Sequence, residues 1–432
     1  MSAAPEVVVV GAGPAGLAAA LTLSRLGVRV VVFERGEYPG AKNMFGGMVY
    51  PRRLESLLPG LWEDAPWERV VTRHRFLLLT DDASLAMEYR DQAAAEPPFN
   101  AATVLRTRFD RYLADQTSAA GALIVPGTVV DDLLWEGDRV VGVQVRRDQG
   151  AVQARLVIAA DGIQSRLALR AGLRGPLAPQ DVALGVKELW ALPEKRIRER
   201  CGLIGREGAS YTYLGAATDG LPGAGFLYTN RDSLSFGIVI HLAALKSSGR
   251  TPASLLDGLR SHPCVRDILQ GATLLEYSAH LVPERGLRMM PRLYRSGILL
   301  AGDAGAMALS TGLVTDGVGP GVASGVCAAE TAFEALGLGK FDEQALASYP
   351  RRLRESFVMP ELETFARMPD LLTSSRIYSV YPQLLTDLAH AIFSADVRPR
   401  QGFWRLARNA ASGRLSIGEL MRDLWKTSGA LR

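Results

Sequence analysis

Cysteine is nearly absent: Cys201, Cys264 and Cys327 are the whole complement of 432 residues. Three thiols cannot supply the four thiolates of an iron–sulfur cluster, and no two stand at metal-ligand spacing. So sparse a set is no disulfide framework either, and a reducing compartment fits it better. Histidine is scarce too. His74, His241, His262, His280 and His390 are scattered singly; each is read as structural, and no metal is expected. An excess of one charge is also lacking. Lys and Arg number 49 against 45 Asp and Glu, a net of +4, too small to argue for a nucleic-acid partner.

Long apolar runs are missing. The most apolar stretch, residues 7–33, is interrupted by Gly11, Gly13, Pro14, Gly16 and Gly27 and by Arg25 and Arg29. A spanning helix needs about 20 nearly unbroken apolar residues, so the chain is expected to lie on a membrane at most, not to cross one. Met1-Ser2-Ala3-Ala4-Pro5 has no basic n-region, and no secretory signal is expected. What is present is ordinary for a globular chain, 48% hydrophobic and 22% charged, which excludes disordered and fibrous classes. A length of 432 residues makes two or three packed units, at roughly 100–200 residues each. Glycine is abundant, with 44 residues and no collagen-like period. It signals tight turns and close approaches of backbone to something bound.

The N-terminal segment carries the sharpest motif. Val7 to Val10 read as a strand buried on both faces and run straight into Gly11-Ala12-Gly13-Pro14-Ala15-Gly16. A helix pattern follows over residues 17–26, Gly27 ends it, and a second β-branched run closes on Glu34. Each part has a task. Gly11 permits the tight turn, Gly13 lets backbone approach a pyrophosphate, and Gly16 lets the helix lie close to the strand. The helix start offers N–H groups and partial positive charge to phosphates, and Glu34 is placed for a ribose diol. Strand, turn, helix and acid together point to a bound dinucleotide.

Other segments decide which one. Residues 297–301 form a second buried strand that ends in Gly302-Asp303-Ala304-Gly305. A carboxylate flanked by glycine at a strand end suits the hydroxyls of a ribityl chain, which NAD lacks. Gly312 to Gly321, containing Gly317, leads into a small-residue helix over 322–336, whose start can stabilise charge on a reduced flavin ring. Leu156 to Ala160 is a third buried strand and meets Asp161-Gly162. Ahead of it, Arg106 opens an amphipathic helix and can reach a phosphate.

These segments, in this order, resemble the flavoprotein superfamily of aromatic hydroxylases, geranylgeranyl reductases and electron-transfer-flavoprotein:quinone oxidoreductases. The resemblance implies FAD, held by Gly11, Gly13, Ala15, Gly16, Glu34, Arg106, Asp161, Gly162, Gly302, Asp303, Gly312 and Gly317. The loop Arg35 to Tyr50 narrows it. Its Gly40-Ala41-Lys42-Asn43-Met44-Phe45-Gly46-Gly47 run looks like the FixC family, relatives of those quinone oxidoreductases. That likeness adds Arg35, Lys42, Gly46 and Gly47 to the expected cofactor contacts, the paired glycines running flat against the ring. Tyr349-Pro350, Ser356 to Met359 and Tyr381-Pro382 also look familiar from that family's C-terminal part.

The family resemblance implies electrons taken from a two-subunit electron-transfer flavoprotein and passed to a quinone, menaquinone or ubiquinone. In FixABCX-type complexes this subunit takes the downhill branch of an electron bifurcation. The eukaryotic-type relative carries a four-cysteine cluster near its C-terminus, and this chain has no cysteine after Cys327. A separate small ferredoxin-like iron–sulfur subunit is therefore implied. The expected location is cytoplasmic, on the inner face of the cytoplasmic membrane. A geranylgeranyl-reductase-like activity, an FAD-dependent hydroxylase and an assembly subunit with an inert flavin stay open as alternatives.

The expected fold is α/β. A discontinuous FAD-binding Rossmann-like domain covers 1–75, 100–170 and 296–345. A mixed or antiparallel sheet over 76–99 and 170–295 forms the quinone side, and 346–432 is mostly helical. Residues 225–228 and 234–241 read as antiparallel strands, with Tyr211, Tyr213, Phe226 and Tyr228 as candidate pocket aromatics. Residues 286–295 mix apolar and cationic side chains in a way that suits a bilayer surface or a solvated loop. From Leu371 to Arg432 nine basic residues face four acidic ones, among exposed-looking aromatics such as Trp404 and Trp425. That pattern suits an interfacial helix or the docking of a partner subunit.

Overall fold

The computed structural model describes residues 4–42, 47–146, 150–395 and 399–430. The chain divides into two compact units. One comprises residues 1–67, 104–182 and 281–366, the other 68–103, 183–280 and 367–432. The mostly helical segment expected over 346–432 is thus shared between them, parting after Ala366.

The first unit is built on a parallel sheet. Its strands lie in the order Ile298–Leu300, Leu156–Ala159, Val7–Val10, Val30–Phe33 and Leu123–Val125, with Tyr294–Arg295 added antiparallel at one edge. These are the β-branched and aliphatic runs of the sequence, buried on both faces because something covers each face. One face is covered by a three-stranded antiparallel sheet, Val130–Glu136, Arg139–Val145 and Ala151–Gln153. Val8, Val10, Val157, Ala159, Ile298 and Leu300 form a single core with its Leu133, Val140 and Val143. Helices Pro14–Arg25, Arg106–Ala119 and Val318–Leu338 complete the unit. The last is poor in large side chains for a visible reason: a Cβ on Gly325 would stand 2.1 Å from the carbonyl oxygen of Ala15.

The second unit holds a mixed sheet. Val182–Ala191 pairs antiparallel with Ser233–His241, that with Gly223–Thr229, and that with Glu207–Gly215. Glu207–Gly215 then runs parallel to Val70–Leu79, which pairs antiparallel with Ser84–Arg90. The hairpin expected over 225–241 is present, with Phe226 opposite Gly237. Leu255, Leu256 and Leu259 from helix Pro252–Ser261 close the core. Tyr211 and Tyr213 lie inside that core, stacked on each other at 6.1 Å. Arg69 ties the unit together from within. It is 2% exposed, and its guanidinium donates to the carbonyls of Asn230, Gly205 and Glu207 and to Glu194.

Among the described residues after Arg367, four helices follow one another: Met368–Leu372, Arg376–Phe393, Phe403–Ala411 and Ile417–Ala430. Arg376 grips Asp423 with two bonds of 2.7 and 2.6 Å, and the Tyr381 hydroxyl donates to the same carboxylate at 2.9 Å. Among the described residues no helix is long and apolar enough to cross a membrane.

Candidate functional site

Register alone assembles the site. Val10 stands opposite Ala159 on one side and Phe33 on the other, and Ala159 stands opposite Leu300. The residues that follow these four strand ends, Gly11, Glu34, Asp161 and Gly302-Asp303, therefore emerge along one edge of the parallel sheet. The chain leaves strand Val7–Val10 toward one side first and returns to fill the other. Such a reversal of strand order opens a crevice at the carboxyl ends, where ligands of α/β sheets bind.

The three glycines of the first turn differ in what surrounds them. Gly11 adopts φ +102°, and a Cβ there would meet the Ala160 carbonyl oxygen at 2.3 Å. A Cβ on Gly16 would come within 1.9 Å of the Gly11 carbonyl oxygen. Gly13 is the opposite case: no atom of the described residues lies within 4 Å of where its Cβ would be. It caps helix Pro14–Arg25, whose first turn has no side-chain cap, so N–H groups and the positive end of the helix face open space. Ala15 is buried beside Gly302, where an added Cβ would approach it to 2.7 Å.

Glu34 is fixed rather than merely near. Its Oε2 accepts from the Ala12 N–H at 2.9 Å and its Oε1 from the Gly36 N–H at 2.6 Å. Two bonds aim the carboxylate along the edge and leave further lone pairs on both oxygens. Asp161 accepts from the Leu167 N–H at 3.3 Å through Oδ2, while Oδ1 is buried with no hydrogen-bond partner among the described residues. Burial pushes its carboxyl above the usual range. Asp303 is pushed up to about 6 by burial, against the pull of Arg106. Gly162 follows Asp161 in the turn, with open space at its Cβ position.

Arg106 is the first residue of its helix and is buried. Its guanidinium lies across Asp110 one turn on, with bonds of 2.7 and 2.8 Å. The pair is felt by the acids of the edge: Arg106 pulls the Asp303 carboxyl down, and Glu34 pushes the Asp110 carboxyl up. Arg35 and Lys42 are exposed. Gly46 lies outside the described residues, and Gly47 opens the short strand Gly47–Val49. Gly312 belongs to the loop joining Leu309–Ser310 to Thr315–Asp316, and Gly317 caps helix Val318–Leu338.

Several supporting residues carry no motif. The Ser324 hydroxyl accepts from the Gly302 N–H at 2.9 Å, which binds the second acid turn to the long helix. The buried Tyr349 hydroxyl donates to the Leu300 carbonyl at 2.6 Å, directly behind that turn. Tyr349 was visible in the sequence as a family feature, but its partner was not. Arg53, Asp316 and Glu361 form a further cluster on the same unit.

A strand-end edge with open space over a helix start and flanking acids is the arrangement of a dinucleotide-binding α/β protein. Comparison with known proteins makes this specific. The FAD binding domain family matches residues 4–189, and the ETF-QO/FixC family C-terminal domain matches 368–432. A probable electron transfer flavoprotein-quinone oxidoreductase, YdiS, of Escherichia coli (strain K12) is 38% identical over 426 residues, 99% of each chain. Protein FixC of Azotobacter vinelandii is 36% identical over 423 residues, covering 98% of this chain and 97% of the relative. The chain belongs to the ETF-QO/FixC family and is an FAD-dependent oxidoreductase. Among solved structures, a geranylgeranyl bacteriochlorophyll reductase-like protein of Thermoplasma acidophilum matches with TM-score 0.73 and 19% identity over 98% of both chains. The flavin-dependent halogenase CmlS matches with TM-score 0.62 and 21% identity, over 99% of this chain and 78% of its own. Both share the fold.

Proposed function

We propose that this chain relays electrons from a two-subunit electron-transfer flavoprotein, through FAD, to a membrane quinone. It would serve as the quinone-side subunit of a FixABCX-type bifurcating complex. The observation that carries this reading is the likeness along 99% of both chains to a relative named for that activity. The cysteine count agrees. With three thiols in all and none after Cys327, an iron–sulfur centre belongs on a separate small ferredoxin-like subunit.

The edge of the parallel sheet fits FAD in its own chemistry. The uncapped start of helix Pro14–Arg25 and the open space over Gly13 suit a pyrophosphate, held by the turn Gly11, Gly13, Ala15 and Gly16. The Glu34 carboxylate suits the adenosine ribose. The buried Oδ1 of Asp161 and the carboxyl of Asp303 suit the hydroxyl donors of a ribityl chain, with Gly162 and Gly302 keeping the backbone close. Arg106 supplies positive charge near the phosphates, screened by Asp110. Arg35, Lys42, Gly46, Gly47, Gly312 and Gly317 complete the proposed set of contacts.

FAD supplies an acceptor that takes electrons in pairs and releases them singly or in pairs. The protein's own part is then to bind, orient and tune. No nucleophile is required, and none is assigned.

Association with the inner face of the cytoplasmic membrane belongs to the same reading. Helices Phe403–Ala411 and Ile417–Ala430 expose Trp404 (78%) and Trp425 (79%), and Phe393, the last residue of helix Arg376–Phe393, is 83% exposed. Arg405, Arg408, Arg422 and Lys426 interleave with them. Aromatics among basic side chains suit the headgroup layer of anionic lipid.

The test is reduction by the donor. Reduced two-subunit electron-transfer flavoprotein, mixed anaerobically with the FAD-loaded chain, is expected to bleach its flavin, while NADPH alone leaves it oxidised. Rapid bleaching by NADPH alone, or none by the reduced flavoprotein, contradicts the proposal.

A further inference from the structure

Helix Val318–Leu338 begins where ionisable side chains from three elements converge. Asp316, two residues ahead of the helix, is 3% exposed. Its Oδ1 accepts from the Gly319 N–H at 2.9 Å. Its Oδ2 is buried with no hydrogen-bond partner among the described residues, and Arg53 Nη1, from helix Pro51–Leu57, stands off at 3.7 Å. Arg53 is committed elsewhere. It gives two bonds of 2.7 and 2.6 Å to Glu361 of helix Val358–Thr364 and lies 4.8 Å over the Phe357 ring. The groups facing Asp316 are therefore Arg53, Glu361 and the N–H groups of Val318 and Gly319. Burial lifts its carboxyl to about 6, while Arg53 and the helix N–H groups pull it down and Glu361 pushes it up.

The arrangement controls how much positive charge this helix start presents. Ionised, Asp316 neutralises both sources at once, the partial charge of the helix N-terminus and the Arg53 guanidinium. Protonated, it releases both. The first turns of the helix lie against the cofactor edge, since Ser324 holds the Gly302 N–H and Gly325 abuts Ala15. Negative charge building at that edge is answered by whatever Asp316 releases.

We infer that Asp316 is a redox-coupled proton acceptor, binding one proton from solvent when the cofactor is reduced and returning it on reoxidation, with Arg53 as the positioning residue that keeps it ionised beforehand. This rests on the FAD placement proposed above. The balance is simple. A reductant supplies two electrons, as dithionite does on oxidation to sulfite or a reduced flavoprotein donor does by reverting to its oxidised form. One proton enters at the cofactor with them, and a second binds Oδ2 of Asp316. No heavy-atom bond forms or breaks at the carboxyl.

The test is an anaerobic, mediated redox titration of the FAD-loaded full chain across pH values above about 6, without donor protein or quinone. Each extra proton taken up per two electrons steepens the fall of potential by about 30 mV per pH unit. The wild-type chain is expected to show the steeper slope and Asp316→Asn, which keeps the Gly319 cap, the shallower one. Arg53→Met should move the break between the two slopes to higher pH. Equal slopes in wild type and Asp316→Asn overturn the inference. Should Asp316→Asn not hold FAD, the reduced-minus-oxidised infrared spectrum of the wild type decides: a new protonated-carboxyl band supports the inference and its absence overturns it. A chain that shows the slope change yet never reduces quinone refutes the electron-relay reading alone.

Discussion

Glu34 and Ala12 meet across the sheet edge, the Glu34 Oε2 accepting the Ala12 N–H at 2.9 Å. The acid proposed for the ribose thus also braces the glycine-rich turn proposed for the pyrophosphate, so the two halves of an adenosine diphosphate would be gripped by one rigid piece. Glu34→Ala removes two backbone bonds to a charged acceptor, a loss of about 1.5–3 kcal/mol for each. Reversal of charge in Glu34→Lys adds repulsion with the helix start. Both variants should purify without FAD, read from the ratio of flavin to protein absorbance, and should melt at lower temperature than wild-type apoprotein.

Two glycines of the same turn separate folding from binding. Gly16→Ala places a methyl 1.9 Å from the Gly11 carbonyl oxygen and should destabilise the apoprotein itself. Gly13→Ala places one in open space at an ordinary backbone conformation, φ −84°. Its apoprotein should unfold at the wild-type urea midpoint, while FAD affinity falls by at least tenfold. Equal FAD affinity in Gly13→Ala would remove the pyrophosphate from this position.

Asp303 predicts a stability that depends on pH in the less familiar direction. Its carboxyl is raised to about 6 in the folded apoprotein, against roughly 3.9 in an unfolded chain. Between those values the folded state binds more protons, so this group's contribution falls as pH rises from about 4 to about 6 and is flat beyond. Asp303→Asn should therefore stabilise the apoprotein at neutral pH by about 2–3 kcal/mol while weakening FAD binding. Urea unfolding at pH 5 and pH 8, with flavin titration alongside, reads both effects. A destabilised Asn variant at neutral pH would contradict this account of the carboxyl.

Exposed Trp404 and Trp425 make a prediction that leaves the fold alone. Replacing both with Ser should abolish sedimentation with anionic vesicles and leave the melting temperature within about 2 °C of wild type, since surface changes seldom exceed about 0.5 kcal/mol. Undiminished vesicle binding would move the lipid contact elsewhere.

The first unit was legible because its signals are local. Gly11, Gly13, Gly16 and Glu34 follow one another within a single strand–helix–strand run, and Asp161 and Asp303 each announce themselves by ending an apolar run. Parallel register then does the assembling, which no residue has to encode separately. Arg106 was legible as a helix residue, but its commitment to Asp110 was not, because a buried pair and a solvated pair at that spacing read alike. Arg53 was illegible. It sits in an unremarked Pro51-Arg52-Arg53 and acquires meaning only from Glu361 and Asp316, distant in sequence and brought to it by the long helix. Tyr211 and Tyr213 show the converse: an alternating aromatic strand suits a pocket wall and a core equally, and the neighbouring helix Pro252–Ser261 decides for the core.

Transfer of the flavin's electrons to a quinone is tested by anaerobic reoxidation. The FAD-loaded chain is photoreduced under argon and mixed with a short-chain ubiquinone or menaquinone analogue while the flavin spectrum is followed. The account predicts full return of the oxidised absorbance with one quinol formed per flavin. A flavin that stays bleached under quinone and recovers only when air is admitted would contradict it.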